Sequence, residues 1–190
     1  SFLVKSKEKL IIISPANFND DVMSSLESMA LGKVFIAPNN FHNLHLKLMH
    51  DKFPTASFYG PARSVQQSGV KLIRDRELDL CDEIPPIDIE GNYKLSETCF
   101  YHSPSETLLI TDLFFNMHHE MNLATRLAMT IAGTYHKLGM SRLLKSMIND
   151  KKLFKKSLER LLDYPFKTIL LCHGDNITRE QLEEFINAFN

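Results

Sequence analysis

KLIIISPANFNDDVMSSLESMALGKVFIAPNNFHNLHLKLMHDKFPTASFY, residues 9–59, alternates short apolar runs with amphipathic stretches, and that alternation decides the fold class. Lys9 to Ile13 reads as a buried strand closed by Ser14 and Pro15. Asn19 or Asp20 offers an N-cap, and Val22, Met23, Leu26, Met29 and Ala30 form an apolar stripe at helical spacing, stopped near Gly32. Lys33 to Ala37 is a second strand, punctuated by Pro38, Asn39 and Asn40. Phe41, Leu44, Leu48 and Met49 then resume helical spacing, and Ala56 to Tyr59 is a third strand. Strands alternating with helices in this way predict βαβ units, with helices packed over a parallel or mixed sheet.

Further along, Gly69 to Asn92 is broken by Pro85, Pro86 and Gly91 and reads as irregular loop with at most one short strand. Glu97 to His102 and Thr107 to Asp112 are separated by Ser103, Pro104, Ser105 and Glu106, which predicts a hairpin. Residues 116–162 are rich in Met, Leu, Ala, Lys and Arg, with helical periodicity in at least two pieces divided near Gly139 and Asn149. Lys167 to Cys172 returns to strand. Thr178 and Gln181 then have capping-box spacing ahead of a final helix carrying Leu182, Phe185, Ile186 and Phe189. No internal repeat or low-complexity tract occurs.

The 190 residues, 44% hydrophobic and 24% charged, suit one globular domain spanning 1–190. A net charge of −1 from 22 basic and 23 acidic residues provides no global field toward nucleic acid or an anionic membrane. Cys81, Cys99 and Cys172 are odd in number and form no CxxC pair, against a disulfide framework or cysteine zinc site. They are the ground for expecting a reducing, cytoplasmic location. No apolar run approaches the roughly 20 residues of a membrane helix. No charged-then-apolar leader follows Ser1, and an upstream segment stays open.

Three features carry chemistry. If the hairpin closes directly over its four-residue loop, His102 faces Thr107 and Glu97 lies opposite Asp112, at a separation where like charges repel. A metal ion or shared proton resolves that repulsion, as does a carboxylate turned to solvent or paired with a cation. The strand Ile169 to Cys172 ends abruptly at His173 and Gly174, where open α/β sheets collect ligands. The histidine is a candidate ligand or a simple strand cap. His42 and His45, three apart after a strand end, are expected on one face of a helix and are weighed as ligands or as surface histidines. His118, His119 and Glu120 form no HExxH and fall in the helical block. No phosphate loop, GxSxG elbow or aromatic-basic nucleic-acid motif occurs.

Taken in order, Leu10-Ile-Ile-Ile-Ser-Pro15, Ala37-Pro-Asn-Asn-Phe-His42, Glu97 through His102-Ser-Pro-Ser with Leu109-Ile-Thr-Asp112, and Leu171-Cys-His-Gly174 resemble blocks of an uncharacterised branch of the metallo-β-lactamase superfamily. The resemblance spans nearly the whole chain. It implies a four-layer αββα sandwich, here with a helical insertion at about 116–162, and a metal site at one edge between the sheets. Asp112 and His173 match the superfamily's bridging aspartate and late histidine. Its HxHxDH motif is replaced by Pro38-Asn-Asn-Phe-His-Asn-Leu-His45, and Glu97 falls about where a histidine often stands.

What the resemblance implies is an altered site of His42, Glu97, Asp112 and His173, holding zinc, iron or manganese, as one ion or none. His45 or His102 would orient water or substrate by hydrogen bonds. The corresponding activity is metal-dependent hydrolysis of a small ester, thioester, lactone or phosphodiester. The alternatives are a degenerate ligand- or protein-binding member and a non-haem iron redox enzyme. The expected partner is a small molecule, with no nucleic acid or membrane, and the Met-rich block reads as core or, alternatively, as a lid or homodimer surface.

Overall fold

The computed structural model describes residues 1–6, 8–61, 63–64 and 83–189, so Cys81 and most of the loop expected over Gly69 to Asn92 lie outside the described residues. The chain divides into two compact units, Ser1–Cys81 and Asp82–Asn190.

The first unit is a four-stranded sheet in the order β1-β2-β3-β4, formed by Phe2–Lys5, Lys9–Ile13, Gly32–Ile36 and Ser57–Tyr59. β2, β3 and β4 run parallel, as the alternation predicts, whereas β1 pairs antiparallel with β2 and was not anticipated. Leu10 to Ile13 are all buried, so β2 is covered on both faces and reads as a continuous apolar run. Leu10, Ile12, Phe35 and Phe58 share one core with Leu26 of α1 (Asp20–Ser28) and with Leu46 and Met49 of α2 (Leu46–Lys52). The Phe35 and Phe58 rings stack at 5.2 Å. α1 starts where Asn19 accepts a hydrogen bond from the Val22 N–H, and it stops at Ser28, short of Met29 and Ala30.

The second unit holds the sheet β10-β7-β6-β5, built from Thr168–Leu171, Thr107–Ile110, Thr98–His102 and Pro86–Asp88. The hairpin has the expected register, His102 opposite Thr107 and Phe100 opposite Leu109. Its turn is a 3-10 segment, Ser103–Ser105, closed by Glu106 in the left-handed region. β10 joins parallel to β7, with Leu171 opposite Ile110. Cys99, Tyr101, Leu108, Ile110, Ile169 and Leu171 pack on Phe154, Leu158 and Leu161 and on Leu182 and Ile186.

The region 116–162 is not one helical block. It begins with β8 (Phe115–Asn116), which pairs with β9 (Leu138–Gly139), and carries α3 (Leu123–Ala132), α4 (Arg142–Ser146) and α5 (Lys151–Leu161). α5 supplies core, whereas α3 buries none of its residues, leaving Leu127 60% and Ile131 61% exposed. Core is therefore the wrong reading of α3, because periodicity reports a stripe and not what covers it. α5 also covers the free edge of β5: Arg160 donates to the Asp88 carbonyl at 2.9 Å, and the Glu90 N–H donates to Ser157 Oγ at 3.1 Å. The last helix, α6 (Arg179–Ala188), starts at the anticipated Thr178–Gln181 capping box. Among the described residues, no helix is long and apolar enough to cross a membrane.

Cys99 lies fully buried beside this core, and burial raises its thiol well above the usual 9.0, reinforced by the charges of Glu97 and Asp88. The folded chain therefore holds the neutral thiol where the unfolded chain ionises. The stability this confers is present below pH 9 and is lost as the pH rises beyond it. Urea midpoints measured at pH 8 and pH 10 should fall further in the wild type than in Cys99→Ala; equal falls would contradict the assignment.

Candidate metal centre

Two strand ends in the second unit build the centre. Because β7 and β10 are parallel and in register, the chain leaves both at the same end of the sheet. Asp112 then follows Ile110, and His173 follows Leu171. Nε2 of His173 lies 2.9 Å from Oδ1 of Asp112. Both groups reach solvent, at 36% exposure for the His173 side chain and 16% for Asp112.

Residues outside the sequence reading hold the His173 segment. The Phe115 ring stacks on the His173 imidazole at 4.8 Å and 11°. The Asn116 N–H donates to the His173 carbonyl at 3.0 Å, and the Asp175 N–H donates to the Asn116 carbonyl at 2.9 Å. Gly174 sits between them with φ +103°. Asn116 is itself buried, and its side chain reaches the Asp175 carbonyl and His118 Nε2. Phe115 and Asn116 directly follow the Asp112 stretch, but no spacing rule distinguishes them. His118 and His119 lie ahead of α3 and outside any helix, His119 in a bend; His119 Nε2 lies 3.2 Å from Asp175 Oδ1.

Glu97 has partners that the hairpin register alone does not give. Continuing the hairpin register sets it across from Asp112, yet its Oε1 accepts hydrogen bonds from the Thr111 hydroxyl, the Thr111 N–H at 3.0 Å and the Asp112 N–H at 3.2 Å. The anticipated carboxylate repulsion is met by backbone and hydroxyl donors. His102 lies at the hairpin turn, the far end of β7 from Asp112. Its Nδ1 bonds Ser105 Oγ at the hairpin turn.

In the first unit, His42 and His45 do not share a helical face. Asn39 Oδ1 accepts from the Phe41 and His42 N–H groups, forming a turn, and α2 starts only at Leu46 with His45 at its N-cap. His42 Nδ1 is hydrogen-bonded to Ser14 Oγ at 2.5 Å. Ser14 follows β2 and His42 follows β3, so both come after the carboxyl ends of parallel strands. Ser14 has φ +57°, a left-handed conformation uncommon for a side-chain-bearing residue. Because Nδ1 is oriented by Ser14, any ligation by His42 runs through Nε2.

The donors at the Asp112–His173 pair suit a divalent ion. Two ligands each about 2.0–2.1 Å from zinc stand about 2.9–3.4 Å apart at right or tetrahedral angles. The observed 2.9 Å satisfies that spacing as well as a direct hydrogen bond. A carboxylate with imidazole accepts zinc, iron or manganese. Burial pushes the neighbouring Cys172 thiol up to about 11, which disfavours the thiolate a soft metal site requires.

Comparison with known proteins is informative at the level of fold. No protein-family model matches the chain, and no curated protein matches it. Solved structures do. One is TTHA1623 in a di-iron-bound form, with a TM-score of 0.61, 16% identity, and coverage of 100% of this chain and 93% of that one. Another is the metallo-β-lactamase from Pontibacter korlensis, at 0.61 and 10% identity, covering 98% and 86%. A third is the chemotaxis sensor ODP, described as a peroxy diiron species, at 0.60 and 13% identity, covering 97% and 83%.

Proposed function

We propose, from the premise that this chain has the metallo-β-lactamase-superfamily fold, that it is a metal-dependent hydrolase of a small ester, thioester, lactone or phosphodiester. The observation that supports this reading most is the convergence of Asp112 and His173 at 2.9 Å where two parallel strands end. In this reading Asp112 Oδ1 and His173 Nε2 are ligands.

A divalent ion held by these residues would lower the pKa of bound water toward neutrality and polarise the scissile group. The chain's own residues prepare for it. Phe115 restricts the His173 ring to one plane, and the exposure of His173 leaves an approach from solvent. Without an ion, the His173 Nε2–H donates to Asp112; ligation through Nε2 requires the tautomer that carries the proton on Nδ1.

The di-iron proteins among the similar structures favour a second reading, an iron redox centre using the same residues. Elemental analysis of protein purified without added ions, thermal unfolding with a chelator, and hydrolysis of a panel of ester, thioester, lactone and phosphodiester substrates test both. The hydrolase reading expects stoichiometric metal, a lower midpoint in chelator and metal-dependent turnover. Iron with visible absorption and no turnover would favour the redox reading. No metal and no chelator shift would replace both with a ligand-binding role.

A further inference from the structure

We propose that Glu97 is a positioning residue: through hydrogen bonds, and not as a ligand, it fixes the Thr111–Asp112 turn and thereby aims Asp112 at His173. The inference rests on the metal-binding reading above and assigns Glu97 a role different from the ligand role implied by the resemblance.

The strand ladder of β7 with β10 runs through Ile110, and the chain bends away at Thr111 to Leu113. A backbone leaving a buried sheet edge needs new partners for its N–H groups, because an unpaired buried donor is costly. Glu97, only 2% exposed, supplies the acceptor. One oxygen, Oε1, receives the Thr111 N–H, the Thr111 hydroxyl and the Asp112 N–H. Such convergence of donors is what permits a buried carboxylate, and bonds to an ionised acceptor are the stronger kind. An oxygen already engaged by three donors is a poor metal ligand. The same three bonds determine where the Asp112 backbone, and so its carboxylate, stands. Consistently, the described His, Asp, Glu and Cys side chains that gather with ligand spacing include Asp112 and His173 but not Glu97.

The two roles make opposite demands on the side chain. Positioning needs an oxygen acceptor at Oε1, which an amide also provides; ligation needs the carboxylate. Zinc affinity measured by competition titration for the wild type, Glu97→Gln, Glu97→Ala and Asp112→Ala separates them. Hydrogen exchange at the Thr111 and Asp112 amides of the metal-free proteins provides a readout independent of zinc. Glu97→Gln should stay within about threefold of wild-type affinity and keep both amides protected. Glu97→Ala should weaken zinc about 10–100-fold, as loss of a ligand's supporting partner typically does, and lose protection at both amides.

Loss of zinc in Glu97→Gln as complete as in Asp112→Ala would make Glu97 a ligand and overturn the inference. Wild-type affinity and intact protection in Glu97→Ala would equally overturn it. If the wild type itself binds no zinc, iron or manganese, the metal-binding reading fails on its own. The exchange comparison then still decides whether Glu97 holds the turn.

Discussion

Asp112→Ala is expected to lower metal affinity by at least about a hundredfold, because it removes the anionic member of the Asp112–His173 pair. A neutral imidazole without the carboxylate would leave the ion's charge uncompensated. The effect on folding should be small by comparison. Asp112 is partly exposed, and losing its hydrogen bond to His173 costs about 0.5–1.5 kcal/mol. Asp112→Asn sharpens the test, since it keeps the shape and an acceptor oxygen but removes the charge. Titration with zinc or iron should find both variants impaired and both folded by circular dichroism. An Asp112→Asn protein with wild-type affinity would mean that the carboxylate serves His173 by hydrogen bonding alone.

Gly174→Ala should have the largest effect on stability. A Cβ built at Gly174 meets the Asn116 carbonyl oxygen at 2.2 Å and its carbon at 2.4 Å, both backbone atoms that no rotamer change can move aside. The φ of +103° adds strain for any residue with a Cβ. Relief requires the His173–Asp175 turn to separate from β8, breaking the bonds between Asn116 and His173 and between Asp175 and Asn116. A cost of about 4 kcal/mol corresponds, at about 2–4 °C per kcal/mol for a chain of this size, to a midpoint lower by about 8–16 °C. The displaced His173 should also bind metal more weakly than the loss of stability alone explains. A variant melting with the wild type would show that the close approach of Gly174 to Asn116 is not maintained in solution.

Most strands of both sheets were legible because their cues are local: β-branched runs ended by Ser-Pro, Pro-Asn-Asn or His-Gly, and a hairpin whose loop length sets its register. The pairing of β10 with β7 is not local. It joins segments about sixty residues apart, so Asp112 and His173 were each identifiable as strand-end residues while their contact followed only from the superfamily resemblance. Glu97 illustrates a different limit. Register could set it opposite Asp112, but could not reveal that β7 ends at Ile110 and leaves donors for Oε1 to receive. For His42 and His45, apolar spacing from Phe41 onward imitates a helix over residues that Asn39 instead folds into a turn. α3 imitates a core helix, because its stripe of Leu123, Leu127 and Ile131 has the right period and no cover.

The central claim, that Asp112 and His173 share a metal ion, is tested most directly by anomalous diffraction from crystals of protein purified without chelator, with data on both sides of the zinc and iron edges. One peak is expected about 2.0–2.2 Å from both His173 Nε2 and Asp112 Oδ1. Crystals equilibrated with zinc or iron that give no peak there, with the imidazole still donating directly to the carboxylate, would contradict it.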